Sequence, residues 1–288
     1  MEEHEFPGRQ GEVVSHRATH RCYLMCRPTH FDVTDSETPW MDPDEPVDTA
    51  QAVSQWEHLR DSLRALGHTV EELPAQPGLP DMVFAANGAT VIDGRVLGAR
   101  FSYRNRAPET DAHRAWFRSH GIAFHDPQHA NEGEGDYAVT ASHLLAGYGF
   151  RTTPAAHAEA REFFGRPVLG LELVEPRYYH LDTALTVLDP ATDQIIYYPG
   201  AFSPDSRATL RRLFPDALHA TAADAAALGL NAVSDGLHVL LPHTAHGLFP
   251  TLRDRGFQPV GVNVSELTKG GGGVKCCVLE LRGLPLKP

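Results

Sequence analysis

Five times along this chain an amphipathic helix end meets a glycine or proline stop and then a β-rich run. The segments are LRALGHTVEEL from Leu63, WFRSHGIAFHD from Trp116, FFGRPVLGLEL from Phe163, LFPDALHAT from Leu213 and LRDRGFQPVGV from Leu252. Their breakers, Gly67, Gly121, Gly165, Pro215 and Gly256, fall roughly 40 to 55 residues apart, a spacing typical of repeat and propeller arrays. The first helix is the clearest, with Val53, Trp56, Leu59, Leu63 and Leu66 at helical spacing and Gly67 as its stop. Short strands follow each unit, such as GATVIDGRVLGARF from Gly88, where Asp93-Gly94 predicts a hairpin turn. Five such modules in series predict an α/β chain folded as a ring of five blades about a pseudo-axis. An ordinary α/β sheet, in which helix-Gly-strand junctions are common, is the competing architecture. No Pro-, Gly- or Ser-rich linker divides the chain, so residues 20–288 are expected to form one domain after a disordered lead-in over 1–19.

Composition removes several functions. The net charge of −12 disfavours nucleic acid, whose phosphates require clustered Lys and Arg. No apolar run approaches the roughly 18 to 20 residues a membrane span needs, and the N-terminus lacks the apolar core of a signal peptide. Four cysteines in 288 residues are no disulfide scaffold, which points to a reducing, cytoplasmic setting. The pairs His16/His20, His125/His129 and His243/His246 lack a third ligand or an HExxH pattern, and an adjacent Cys-Cys pair cannot clip a metal. No metal is expected. No phosphate loop is present and no organic cofactor is expected.

The most chemically suggestive run is KGGGGVKCCVLEL, from Lys269 to Leu281. Glycines allow sharp bends and close approach of a ligand. Cys276 and Cys277 follow at the start of an expected strand, where adjacent side chains point to opposite faces, so at most one can serve a pocket. A buried free cysteine pair is the plain alternative.

Further motifs set polar side chains beside small apolar runs: PDMVFAANG (80–88), NEGEGD (131–136), GYGFRT (147–152), YYHLD (178–182) and NAVSDG (231–236). Acidic-Gly-Gly-Asp, then His-x-Asp, then a Gly-rich loop with cysteine, in that order over five repeats, resembles the pentein superfamily of guanidine-modifying enzymes from about Arg21 onward. That family includes arginine deiminases, arginine dihydrolases, dimethylarginine dimethylaminohydrolases and amidinotransferases. The resemblance implies a five-bladed α/β propeller with pseudo-five-fold symmetry and a small guanidino substrate.

It also implies roles. A resonance-stabilised guanidinium carbon is a poor electrophile and needs a thiolate, a positioned acid and carboxylates to hold the cation. By resemblance Cys276 is the nucleophile and Cys277 faces the core. His180 is the general acid and base, and Asp182, two residues on along an expected strand, grips guanidino nitrogens. Glu132 orients His180, with Glu134 as the alternative, since the spacing here is E-G-E-G-D; Asp136 is structural. Arg100 and Arg151 match positions that clamp a substrate carboxylate, a task suited to arginine's bidentate fork. Asn231 shapes the pocket.

Asn87 is the discriminator among substrates. Deiminases and dimethylarginine hydrolases carry a carboxylate there, whereas dihydrolases read D-M-V-F-x-A-N, as this chain does. A second comparison cuts the other way: dihydrolases read N-P-W-M where this chain has Thr38-Pro39-Trp40-Met41, a departure that fits an enzyme stopping at citrulline or tuned to a modified arginine. The resemblance therefore implies hydrolysis of the guanidino C–N bond of free arginine, to citrulline or onward to ornithine. A methylated arginine is the alternative substrate, and an amidinotransferase or a non-catalytic binding propeller are the other classes.

Overall fold

The computed structural model describes residues 16–285. Five three-stranded sheets share one plan: an antiparallel hairpin, a helix, and a third strand returning parallel to the second. In the first blade, α1 (Thr49–Ala65) connects β1 (Cys22–Cys26) to the parallel β2 (Thr69–Leu73). The second has β3 (Ala89–Ile92), β4 (Arg95–Gly98), α2 (Glu109–Ser119) and β5 (Phe124–His125). The third has β6 (Tyr137–Val139), β7 (Leu144–Tyr148), α3 (Pro154–Phe164) and β8 (Val168–Glu172). The fourth has β9 (Leu185–Asp189), β10 (Gln194–Tyr197), α4 (Pro204–Leu213) and β11 (Leu218–His219). A short α5 (Ala222–Ala226) leads into the fifth, made of β12 (Val233–Ser234), β13 (His238–Pro242), α6 (Leu248–Asp254) and β14 (Gln258–Val262). After α7 (Ser265–Thr268), β15 (Leu279–Glu280) returns to pair antiparallel with β1 and completes the first blade.

Local chemistry accounts for the helix limits. Asp48 and Thr153 accept the Gln51 and Ala156 N–H bonds as N-caps, and Pro154 occupies the first helical turn. The stops at Gly67, Gly121, Gly165 and Gly256 all have positive φ. Trp56, Leu59 and Leu63 of α1 are fully buried, while Val53 and Leu66 lie at the edge of that face. Asp93 and Gly94 form the expected turn, with φ of 51° and 77°.

The first strand of each hairpin faces the axis: β9 adjoins β6 and β12, and β15 adjoins β3. The outer helices insulate the sheets from solvent through separate apolar clusters rather than one continuous core. Among the described residues no helix is long and apolar enough to cross a membrane.

Most of the expected lead-in, residues 1–15, lies outside the described residues. Its remainder does not match the expectation of disorder: His16 stacks on Phe257 at a centroid distance of 3.8 Å, and the Thr19 N–H bonds Asp235 O at 2.9 Å. An aromatic stack and a backbone bond fix this stretch to the fifth blade, so the ordered chain begins ahead of residue 20.

Candidate active site

Every axial strand is preceded by a tight turn, and these five turns carry the site. Asn87 stands in the turn before β3, Glu132 before β6, His180 and Asp182 before β9, Asn231 before β12 and Cys276 before β15. None is more than 5% exposed. The expectation that His180, Asp182 and Cys276 sit on strands is corrected here. Residues 181–183 form a single 3₁₀ turn, and residues 274–277 turn before the strand begins. A turn frees these side chains from strand alternation and lets them aim across the axis.

At the cysteine, Asn231 supplies a cradle. Its Oδ1 accepts the N–H groups of Gly273 (3.0 Å) and Cys276 (3.1 Å), which fixes the amide so that Nδ2 donates to Cys276 Sγ at 3.0 Å. The thiol donates to Asp182 Oδ2 at 3.1 Å. Burial, and then the Asp182 carboxylate, push the Cys276 thiol well above its ordinary value. The resting group is a thiol, and a bound cation would lower the cost of the thiolate. Cys277 is fully buried in the apolar cluster with Trp56, Leu59, Val264 and Leu267.

Across the axis, His180 Nε2 lies 2.7 Å from Glu132 Oε2. A carboxylate only accepts, so Nε2 carries a proton and donates it to Glu132. Arg151 holds the same carboxylate through Nη1 at 3.2 Å and lies over the rings of Tyr103 and Tyr179. Burial would raise the Glu132 carboxyl, but Arg151 and the His180 bond overcome it and hold it well below the usual carboxylate range. Glu134 points elsewhere. It pairs with Lys275 at 2.7 Å and with Arg282, which leaves Glu132 as the partner of His180. Asp136 anchors the next turn by accepting the Leu181 N–H at 3.1 Å.

Asn87 is fixed by a residue that the motifs did not flag. Arg106 forks onto Glu109 at 2.8 and 2.9 Å and donates to Asn87 Oδ1 at 3.1 Å. Because a guanidinium has no acceptor, the Asn87 Nδ2 must face away from it. Gly135 keeps the space open: a Cβ there would lie 2.4 Å from Asn87 Nδ2 and 3.0 Å from His180 Nδ1. Among the described residues Asn87 Nδ2, His180 Nδ1 and Asp182 Oδ1 are buried without a hydrogen-bond partner. The two expected arginines are placed differently from one another. Arg100 is exposed and donates to Gln128 O at 2.8 Å, outside the group, because its backbone is bridged to Asn131. Arg151 is inside, with Nη1 on Glu132 and Nη2 3.9 Å from Glu37 Oε2.

No family model matches this chain. It is 49% identical over 273 residues to an N(G),N(G)-dimethylarginine dimethylaminohydrolase of Mycobacterium tuberculosis, covering 95% of this chain and 90% of that one. This chain belongs to the guanidine-modifying pentein superfamily. A 34% match over 267 residues covers 90% of this pentein but 37% of a Nostoc bifunctional arginine dihydrolase/ornithine cyclodeaminase, AgrE. In structure, the substrate-bound N-terminal domain of ArgZ, a cyanobacterial arginine dihydrolase, superposes with a TM-score of 0.87. The identity is 29%, with coverage of 92% of this chain and 100% of that one. A dimethylarginine dimethylaminohydrolase adduct shares the fold, with a TM-score of 0.71 at 18% identity, covering 91% of this chain and 100% of that one.

The stretch from Asp35 to Pro46 ties together several loops of this pentein. Trp40 Nε1 donates to Arg177 O at 2.7 Å, Glu37 accepts from Asn105 at 2.7 Å, and Lys269 Nζ donates to Pro46 O at 2.9 Å. Thr38 is buried near Gly271, whose carbonyl accepts the Tyr179 hydroxyl at 2.9 Å. In the glycine run, Gly270 lies close against Phe31 and Phe84, and Gly272 against Phe84. Arg106 and Glu37 lie outside every motif, and Tyr179, though inside YYHLD, carries no role by its type alone. A tyrosine directly ahead of a candidate histidine was the one available signal.

Proposed function

We propose that this pentein hydrolyses a guanidino C–N bond of free arginine by covalent catalysis at Cys276. The observation that carries the reading is the meeting, at five turns around one axis, of a hydrogen-bonded thiol, a His–Glu pair and an unpartnered carboxylate oxygen. In the first half-reaction Cys276 Sγ bonds to the guanidino carbon, a C–N bond breaks, and the thiol proton passes by way of His180 to the leaving amine. Asp182 holds guanidino nitrogens, Glu132 orients His180, and Asn231 positions the sulfur. Arg151 acts through Glu132. Asn87 offers an N–H donor, which suits the oxygen of a ureido group and favours a dihydrolase that continues to ornithine. A reducing, cytoplasmic setting suits a resting thiol.

A second reading, dimethylargininase, is favoured by the 49% identity to the mycobacterial protein of that name. Mass spectrometry of products from arginine and from asymmetric dimethylarginine separates the two. Ornithine and ammonia from arginine support the dihydrolase, and citrulline alone from arginine supports a deiminase. Citrulline and dimethylamine from the methylated substrate alone support the second reading. Turnover of neither overturns both.

A further inference from the structure

One carboxylate beside the site lacks a cation of its own. Glu37 precedes Thr38, which is buried near Gly271, and its side chain is 11% exposed. Asn105 Nδ2 holds Glu37 Oε1 at 2.7 Å. The other oxygen, Oε2, is buried without a hydrogen-bond partner among the described residues. Arg151 Nη2 lies 3.9 Å from it, beyond hydrogen-bond length, while Nη1 of the same guanidinium is engaged on Glu132. Arg106 is likewise committed, to Glu109. Burial pushes the Glu37 carboxyl above its ordinary value, against the pull of Asn105 and Arg151. A fixed, buried acceptor of this kind calls for a donor that the protein itself does not supply.

We propose that Glu37 binds the α-ammonium group of a free amino-acid substrate and so selects it over guanidines that lack one. The inference rests on the hydrolysis reading above, which puts the guanidino group at Cys276, His180 and Asp182. Along the contacts His180–Glu132–Arg151–Glu37, Glu37 stands at the end away from the reacting groups. The far end of a free amino acid carries one positive and one negative group on a single carbon. Glu37 and Arg151 present the two opposite charges side by side, 3.9 Å apart. An ammonium N–H donated to Oε2 supplies the missing partner through a charge-assisted bond, the stronger kind. It also lowers the cost of keeping the buried carboxylate ionised.

The test is calorimetric titration of Cys276→Ser, in which ligands stay intact. One ligand is arginine, or asymmetric dimethylarginine if that is the form turned over; the other is the same molecule without its α-amino group. Glu37→Gln, added to this background, keeps the shape and an acceptor for Asn105 but removes the charge. The dissociation constant of the amino acid should rise by about 10- to 100-fold, the range for a hydrogen bond to a charged group, and that of the des-amino acid by less than about two-fold. Glu37→Asp, charged on a shorter arm, should weaken the amino acid less than Glu37→Gln does and leave the des-amino acid alone. Equal weakening of both ligands, no weakening, or tighter binding of the amino acid overturns the proposal. So does an amino acid that binds no better than its des-amino form before Glu37 is changed. If Glu37→Gln does not fold, Glu37→Asp decides by the same comparison of the two ligands. Failure of the hydrolysis reading shows separately, as selective binding without turnover in the wild type.

Discussion

Asn231 and Cys276 hold each other twice: the amide oxygen accepts the cysteine's backbone N–H at 3.1 Å, and the amide nitrogen donates to its sulfur at 3.0 Å. One side chain thus fixes both the turn and the thiol. Asn231→Ala should lower kcat/KM by about 10- to 100-fold, as expected for losing a bond worth about 1.5–3 kcal/mol to a developing thiolate. The pH profile of iodoacetamide labelling at Cys276 should move upward. An unchanged labelling profile would reduce Asn231 to a backbone prop.

The two adjacent cysteines should part company. Cys276→Ser should abolish turnover with little change in melting temperature. Cys277→Ser should keep turnover and lose about 1–3 kcal/mol, the cost of a buried hydroxyl without a good partner. Kinetics and thermal melts of the pair settle this, and the reverse pattern would move the nucleophile by one residue.

Glu132 makes acid stability measurable. Despite burial, Arg151 and His180 hold its carboxyl below the unfolded value of about 4.3. Its contribution is therefore fully present above that pH and is lost as the pH falls through the folded value. Glu132→Gln should remove this acid-sensitive share, so the stability gap between wild type and variant narrows below about pH 4. The same variant should slow turnover by about 10²- to 10⁴-fold at neutral pH. Arg151→Met should cost about 3–5 kcal/mol by leaving a buried carboxylate short of its cation. Melting temperatures from pH 3 to 8 check both.

At Asn87 the substitution Asn87→Asp exchanges a donor facing the site for an acceptor, while Arg106 can still hold the other oxygen. Product should shift from ornithine towards citrulline, measured as their ratio at fixed arginine. A constant ratio removes Asn87 from the choice of product.

Much of the ring was legible because its signals are local. The helix faces follow a 3.6-residue period, and Gly67, Gly121, Gly165 and Gly256 supply the left-handed stops that only backbone chemistry demands. Asp93-Gly94 behaved in the same way. Two of the turns ahead of the axial strands look like strands in the sequence because VKCCVLEL and YYHLD are as apolar as β runs. What bends them is tertiary: Asn231 reaching from another blade to the Cys276 N–H, and Asp136 capturing the Leu181 N–H. Glu132 and Glu134 looked equivalent in sequence, and only the placement of Lys275 and Arg282 separates them. Arg106 was invisible because its task is to orient another residue's amide.

The pairing of β15 with β1 ties activity to a finished chain. During synthesis the first blade waits with β1 lacking its partner, an unpaired edge of the kind that invites association with other chains. The same late segment brings Cys276, the proposed nucleophile. A fragment released before residue 276 has neither a closed circle nor the proposed nucleophile, so an interrupted chain is expected to be inert towards guanidines.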